Sequence, residues 1–264
     1  SSGKRRGDWC LVRRWIGLFV YLVVLVAFFI PSILEPVLQF FFPGANEWIF
    51  PRESLIKLTT EHLLLSLLAG AVAAVIGMGL GIAATRRAGR PFLTLIRDVS
   101  SLAQTMPPAA VLALAIPFLG FGFKPVLLAL VCYSTLPVLN NTLAAIENLP
   151  RPVLEAARGI GMSRLQVLLQ IELPLALPVI GTGIRICVVI NVGTATIGAL
   201  AGAGGLGSVI VAGLTRNNPA WVFQGAIASA SLALMLNSLL LAAEHGLQPA
   251  ILRNHIDGNS ALSA

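Results

Sequence analysis

The side chains that could do chemistry are few and scattered. Eleven Asp and Glu, three His and three Cys are spread over 264 residues, and none forms a paired-carboxylate, metal-ligand or nucleophile constellation. No G-x4-G-K-[ST] phosphate cradle is present. The run Gly202-Ala203-Gly204-Gly205-Leu206-Gly207 reads G-x-G-x-x-G. It fails as a dinucleotide fingerprint, because no strand of a soluble βαβ unit precedes it and no acid follows about 20 residues on. Flexible backbone at the outer end of a membrane pathway, or a plain tight connection, explains Gly204, Gly205 and Gly207 better. Arg185 is the one charge deep inside a long apolar run. An intramembrane arginine must face the bundle interior and find a partner, so it is either a gate or pathway residue or one half of a structural pair. If a helix starts at Pro174, Arg185 lies about 16 Å along it. Cys10, Cys132 and Cys187 have no metal or disulfide spacing and read as small buried hydrophobes.

These residues are embedded in a chain that water alone does not solvate. Hydrophobic residues make up 56% and charged residues 11%, with a mean hydropathy of +0.87; a soluble domain is about a quarter charged. Charge-free runs mark the spans: Trp15–Leu34, His62–Thr85, Val99–Phe123, Pro125–Ile146 and Asn217–Ala243. A fifth run, Leu173–Thr215, is broken only by Arg185 and is too long for one helix. It is expected to hold a helix from about 174 to 197 and then a Gly-rich loop at membrane depth. This gives an all-α membrane protein of about six transmembrane helices. Trp15–Leu34 is long enough to span and has no small-x-small site after it, so it is expected to be a retained anchor rather than a signal peptide. Residues 1–60 form a basic tail, first span and external loop; 61–246 form the core; 247–264 form a second tail.

Basic residues set the orientation. With the N-terminus in the cytoplasm, thirteen of the eighteen Lys and Arg lie inside and four outside, with Arg185 in a span. Positive charge stays inside, so both termini are expected to be cytoplasmic. The same distribution explains the pI of 10.2 without nucleic acid. Small residues recur every four positions at Ala73, Gly77 and Gly81, and again at Gly225, Ser229 and Ala233. Such stripes let helix backbones approach, either within the chain or against a partner subunit. Pro107-Pro108, Pro117 and Pro137 should kink their helices, and Asn140, Asn141 and Asn191 suit interhelical hydrogen bonds. Tyr133, Phe118, Phe121, Phe123 and Trp221 could meet a quaternary ammonium, although anchoring at span boundaries accounts for most of them. No substrate residue is assigned.

The stretch 147–174 is the most informative. Pro152 starts a short helix and Gly159 and Gly161 break it. Ser163 caps a second helix, with Gln166 completing a capping box. Leu165, Leu168 and Leu169 share a face, and Pro174 opens the next span. Two short helices at a glycine corner, with an apolar face and no catalytic group, make a protrusion suited to docking another protein.

Glu155-Ala156-Ala157, then Gly161, then Ile171-Glu172-Leu173-Pro174 fill every position of E-A-A-x3-G-x9-I-x-L-P. The loop therefore resembles the signature loop of binding-protein-dependent ABC importer permeases. The resemblance implies the type I, MetI-like importer fold and a coupling helix seated in a cleft of an ATPase subunit. On that resemblance Glu155 is polar support at the joint, Ala156 and Ala157 allow close approach, and Gly161 makes the turn. From residue 60 onward the chain is similar to the osmoprotectant group, whose members import glycine betaine, choline, carnitine and related quaternary amines. Gln104-Thr105-Met106-Pro107, Pro117-Phe118-Leu119-Gly120-Phe121-Gly122, Tyr133-Ser134-Thr135-Leu136-Pro137-Val138-Leu139, Gly159-Ile160-Gly161-Met162, Gly193-Thr194-Ala195-Thr196-Ile197 and Gly204-Gly205-Leu206-Gly207 carry that likeness. Some of these blocks also occur in methionine-type permeases, and residues 1–60 contribute no motif.

The resemblance implies a non-catalytic permease subunit of the bacterial inner membrane. It implies no cofactor in this chain, with ATP and Mg bound by cytoplasmic ATPase subunits. A second permease subunit, identical or not, and an external or periplasmic solute-binding protein complete the assembly. An importer for another small solute such as methionine is the nearest alternative. A stand-alone secondary transporter is the other; it needs intramembrane acids for ion coupling, and none of the eleven acids is expected deep in a span.

Overall fold

The computed structural model describes Gly17, residues 20–23, Val26 and residues 30–247. All secondary structure among these residues is helical. The helices are α1 (Pro31–Phe41), α2 (Leu55–Thr85), α3 (Leu93–Thr105), α4 (Pro108–Leu119), α5 (Phe123–Glu147) and α6 (Arg151–Gly159). They continue with α7 (Arg164–Ala201), α8 (Gly207–Thr215) and α9 (Pro219–Leu247). Four are long and apolar enough to cross a membrane: α2, α5, α7 and α9 (over Pro219–Glu244). Nine of the twenty residues of the expected first span, Trp15–Leu34, lie outside the described residues, and α1 begins where that span was expected to end.

Two expectations about the spans are corrected. Val99–Phe123 is not one kinked helix. Met106 and Pro107 are extended (ψ 130° and 136°), so α3 stops and α4 restarts at Pro108. The residue before a proline avoids the helical region, and two prolines in a row apply that restriction twice. The fifth helix is longer than 174–197. It runs unbroken from Arg164 through a π-helical turn at Leu168–Glu172, and ends in a 3-10 turn at Thr196–Ala201. Pro174 lacks an N–H and crowds the carbonyl one turn back; the wider π-turn just before it gives that ring room.

Small residues let α2, α5 and α7 close on one another. Lipid tails are as apolar as leucine, so side-chain fit and backbone approach hold these helices together. The stripe Ala73, Gly77 and Gly81 is buried against α5: a Cβ on Gly77 would sit 2.7 Å from the Thr135 carbonyl oxygen, and one on Gly81 2.7 Å from Thr142 Cβ. On α9, Gly225 meets Ile210 and the Leu206 carbonyl. Both stripes therefore pack within the chain. A core of Phe50, Leu58, Val192, Leu206, Val209 and Trp221 fills one end of the bundle, and Ala84, Leu136, Leu139 and Leu143 fill the other. Trp221 is 1% exposed and packs edge-on to Phe50, so it is a core residue and not a boundary anchor. Cys187 is buried as expected, Cys132 is exposed on α5, and Cys10 lies outside the described residues.

Candidate functional site

The segment between α5 and α7 has the expected architecture, and its corners are built from backbone. α6 begins at Arg151 with Pro152 in its first turn. It ends in a Schellman motif: the Met162 N–H donates to the Ala157 carbonyl and the Gly161 N–H to that of Arg158. Gly161 sits at φ +86°, where a Cβ is strained, which is the physical need for glycine there. Ser163 then caps α7, with Gln166 reaching back to its backbone N–H at 2.8 Å. Glu155 and Ala156 are exposed and Ala157 is buried; Ile171 and Leu173 are half-buried and Pro174 is exposed. Glu155 makes no hydrogen bond or ion pair among the described residues. Ile160 (81% exposed), Leu165 (63%) and Leu169 (54%) form an apolar knuckle left uncovered by the described residues.

Beneath the knuckle lies a tie that the motif does not specify. Glu172 fills the variable position between Ile171 and Leu173 and is 5% exposed. Its carboxylate accepts a hydrogen bond from Arg86, the residue that follows α2, at 2.5 Å. Arg97 of α3 reaches Glu147 at the end of α5 at 3.0 Å. The loop is thus fastened to α2, while α3 is fastened to α5. Opposite charges at the ends of separate helices were the only sequence signal for either pair.

Arg185 has a partner, and it is an acid. Its Nε donates to Glu244 and its Nη1 to the Asn237 side chain, each at 3.1 Å. Thr182 donates to the other carboxylate oxygen of Glu244. No acid was expected deep in a span; Glu244 is the last residue of the apolar span, and α9 continues past it to Leu247, one turn beyond the charge-free run. The structure shows the paired alternative for Arg185, joining α7 to α9. Asn141 donates to the Pro137 carbonyl within α5, whereas Asn191 of α7 reaches the Ser66 carbonyl of α2.

At the opposite end, the Gly202–Gly207 turn packs on the start of α2. The Gly205 N–H donates to Glu61 at 3.3 Å. A Cβ on Gly204 would sit 2.7 Å from the Glu61 carboxylate, and one on Gly207 2.1 Å from the Thr196 carbonyl oxygen. His62 is fully buried under the turn, with Nε2 2.8 Å from the Val192 carbonyl oxygen. A carbonyl only accepts, so Nε2 carries the hydrogen. Glu61 and His62 were not singled out in the sequence, since neither belongs to a recognisable spacing. Phe118 and Phe121 are 87% and 76% exposed near this end, apart from the buried Trp221, and the aromatics do not converge on one cage.

An all-α bundle of membrane-length helices with a capped two-helix knuckle at one end defines a membrane permease scaffold. Comparison with known proteins agrees. Residues 76–253 match the family described as the binding-protein-dependent transport system inner membrane component. The chain is 36% identical over 229 residues to the osmoprotectant import permease protein OsmY of Salmonella typhimurium, covering 87% of this chain and 93% of that one. It is 37% identical over 196 residues to the choline transport system permease protein OpuBB of Bacillus subtilis, covering 74% and 89%. Among solved structures, an inward-facing form of the MetNI methionine ABC transporter superposes with a TM-score of 0.66 at 20% identity, over 74% of this chain and 96% of that one. The chain belongs to the family of binding-protein-dependent transport system inner membrane components, and it is a multi-pass membrane protein.

Proposed function

We propose that this chain is one half of the membrane pathway of an ATP-driven importer of osmoprotectants: glycine betaine, choline, carnitine or related quaternary amines. The observation that carries the machine is the loop at 147–174, where E-A-A-x3-G-x9-I-x-L-P falls on a Schellman corner and a capping box that push an uncovered apolar knuckle away from the bundle. The solute class is supported by the names of relatives at 36% and 37% identity over most of the chain. ATP and Mg bind the cytoplasmic ATPase subunits, not this chain. Their closure pushes on Glu155–Pro174, with Glu155 as polar support, Ala156 and Ala157 as the close approach and Gly161 as the turn.

Both termini and the knuckle face the cytoplasm, as the distribution of Lys and Arg requires. A second permease subunit completes the pathway, and an external binding protein delivers solute to the end that carries Gly204, Gly205 and Gly207. Arg185, engaged by Glu244 and Asn237, ties α7 to α9 inside the core, residues 61–246.

The test is reconstitution with the cognate ATPase, binding protein and second permease subunit, followed by ATP hydrolysis against a panel of solutes. Glycine betaine or choline should stimulate turnover, and Glu155→Lys should abolish the stimulation while the chain still inserts. Normal stimulation in Glu155→Lys would sink the docking assignment. Stimulation only by an unrelated solute such as methionine would keep the machine and discard the osmoprotectant.

A further inference from the structure

At the knuckle end, where α2 ends, lies a cavity of about 910 Å³. Thr85, the last residue of α2, forms part of its wall, together with Arg86, Arg87, Arg90, Arg158 and Arg164. Five arginines thus face one space, and the one acid lining it, Glu172, is already engaged by Arg86. Arg87, Arg90, Arg158 and Arg164 are exposed, and none has an acidic partner among the described residues. Among the described residues, nothing neutralises the charge of these four arginines. The remaining wall is apolar, from Met162, Leu165, Val167 and Leu168. The 86–92 turn is held against the end of α2, because Gly89 lies too close to Ala83 for a Cβ, and Arg86 is pinned to Glu172.

We propose that this cavity is a binding site for the phosphate headgroup of an anionic phospholipid of the cytoplasmic leaflet. Guanidinium groups match phosphate oxygens in fork geometry. A basic pocket between helices on the cytoplasmic side of a membrane protein is the setting in which such headgroups bind. The less exposed part of that wall, Met162, Val167 and Leu168, set behind the knuckle face that carries Leu165, favours a lipid over a wholly polar anion, because it offers the glycerol and first methylenes an apolar surface. Arg158 and Arg164 belong to the coupling loop and Arg87 and Arg90 to the α2 exit, so one headgroup would bridge the two. The inference rests on the proposed orientation, which puts this end at the cytoplasmic interface.

The experiment is native mass spectrometry of the intact transporter complex, released from nanodiscs of phosphatidylcholine with or without phosphatidylglycerol. The complex should retain phosphatidylglycerol in preference to phosphatidylcholine. Arg87→Gln with Arg90→Gln should lower that retention about twenty-five-fold, taking a basic side chain near an anionic surface as worth about five-fold each. Arg158→Gln should lower it about five-fold on the same scale. Arg52→Gln, exposed at the other end of the bundle, should not change it. Equal retention of both lipids, or retention unchanged in both cavity variants, overturns the proposal. Displacement of the lipid by millimolar inorganic phosphate would make the site one for a free anion and overturn the lipid assignment. If instead the variants shed the ATPase subunit in either lipid with retention intact, the arginines meet an acidic protein surface, and the proposal also fails. Labelling of Arg87→Cys from the outer face of sealed cells would refute the orientation separately, without reference to lipid.

Discussion

Replacing Arg86 by alanine tests the tie between the coupling loop and α2. The magnitude follows from the unequal burial of the two partners: Glu172 is 5% exposed, whereas the Arg86 side chain is 36% exposed. Removing one partner of a fully buried ion pair costs about 3–5 kcal/mol, and an exposed pair is worth about 0.2–1 kcal/mol. Arg86→Ala leaves a carboxylate buried without its donor, so the cost lies between these limits, about 2 kcal/mol. Glu172→Ala is milder, about 1 kcal/mol, because the freed guanidinium can turn into the adjoining cavity and keep its hydration. The double variant then costs little more than Glu172→Ala alone, which gives a coupling energy of about 1.5 kcal/mol.

The assay is unfolding of the purified chain in mixed micelles, run as a double-mutant cycle. Solute-stimulated ATP hydrolysis of the reconstituted complex serves as the functional readout. Arg86→Ala should lose part of the stimulation while basal hydrolysis persists, since a loop freed from α2 moves without taking the span along. Additivity of the two single variants within about 0.5 kcal/mol would refute the reasoning. A larger loss for Glu172→Ala than for Arg86→Ala would refute it as well, since the stranded buried charge is what sets the order.

Arg185→Ala should reduce accumulation in the membrane sharply, because it strands Glu244. Arg185→Leu combined with Glu244→Leu should recover accumulation, since an apolar pair of similar volume replaces a buried ion pair at little cost; no recovery, measured by quantitative immunoblot, would argue that the pair has a role beyond stability. Gly207→Ala would place a Cβ 2.1 Å from the Thr196 carbonyl oxygen and should prevent stable folding. Gly44→Ala, with nothing within 4 Å of the added carbon, should leave the thermal midpoint unchanged, and equal effects of the two would contradict the packing described.

What could be read in advance follows physical range. The spans α2, α5, α7 and α9 were legible because a helix in lipid tolerates few charges over about 20 residues, and their apolar runs are broken only by Arg185. The corner at Gly161 and the capping box at Ser163 and Gln166 were legible because both are completed within a few residues. Glu244 was missed because a charge-free run was taken to end the helix. In fact an acid near the end of a span is tolerable once an arginine 59 residues earlier in the chain supplies its partner. Glu172 was hidden in a motif position that allows any residue, and its importance comes from Arg86, 86 positions away. Trp221 looked like an interfacial anchor because burial against Phe50 depends on how the 42–54 segment folds back, which no local pattern encodes. The break at Met106–Pro107 had a clear local cause, yet proline kinks and proline breaks share one signature, and only the extended backbone of two successive residues tells them apart.

The two ends of the bundle are held by different chemistry, and the difference suits a part that must move. At the knuckle end, three ion pairs join separate helices: Arg86 with Glu172, Arg97 with Glu147, and Arg185 with Glu244. Two of these involve carboxylates that are nearly buried, at 7% and 12% side-chain exposure, so separating them would strand a charge. That end therefore resists internal sliding and transmits a push as a unit. At the Gly202–Gly207 end the joints are close glycine backbone, apolar packing around Trp221 and the uncharged His62–Val192 hydrogen bond, with a single amide on Glu61. Glu61 is itself 38% exposed, so losing that amide exposes the carboxylate to water and strands nothing. If a partner pushes on Glu155–Pro174, as proposed above, the push meets the charge-locked joints first, and the joints that part without stranding a charge lie at the far end.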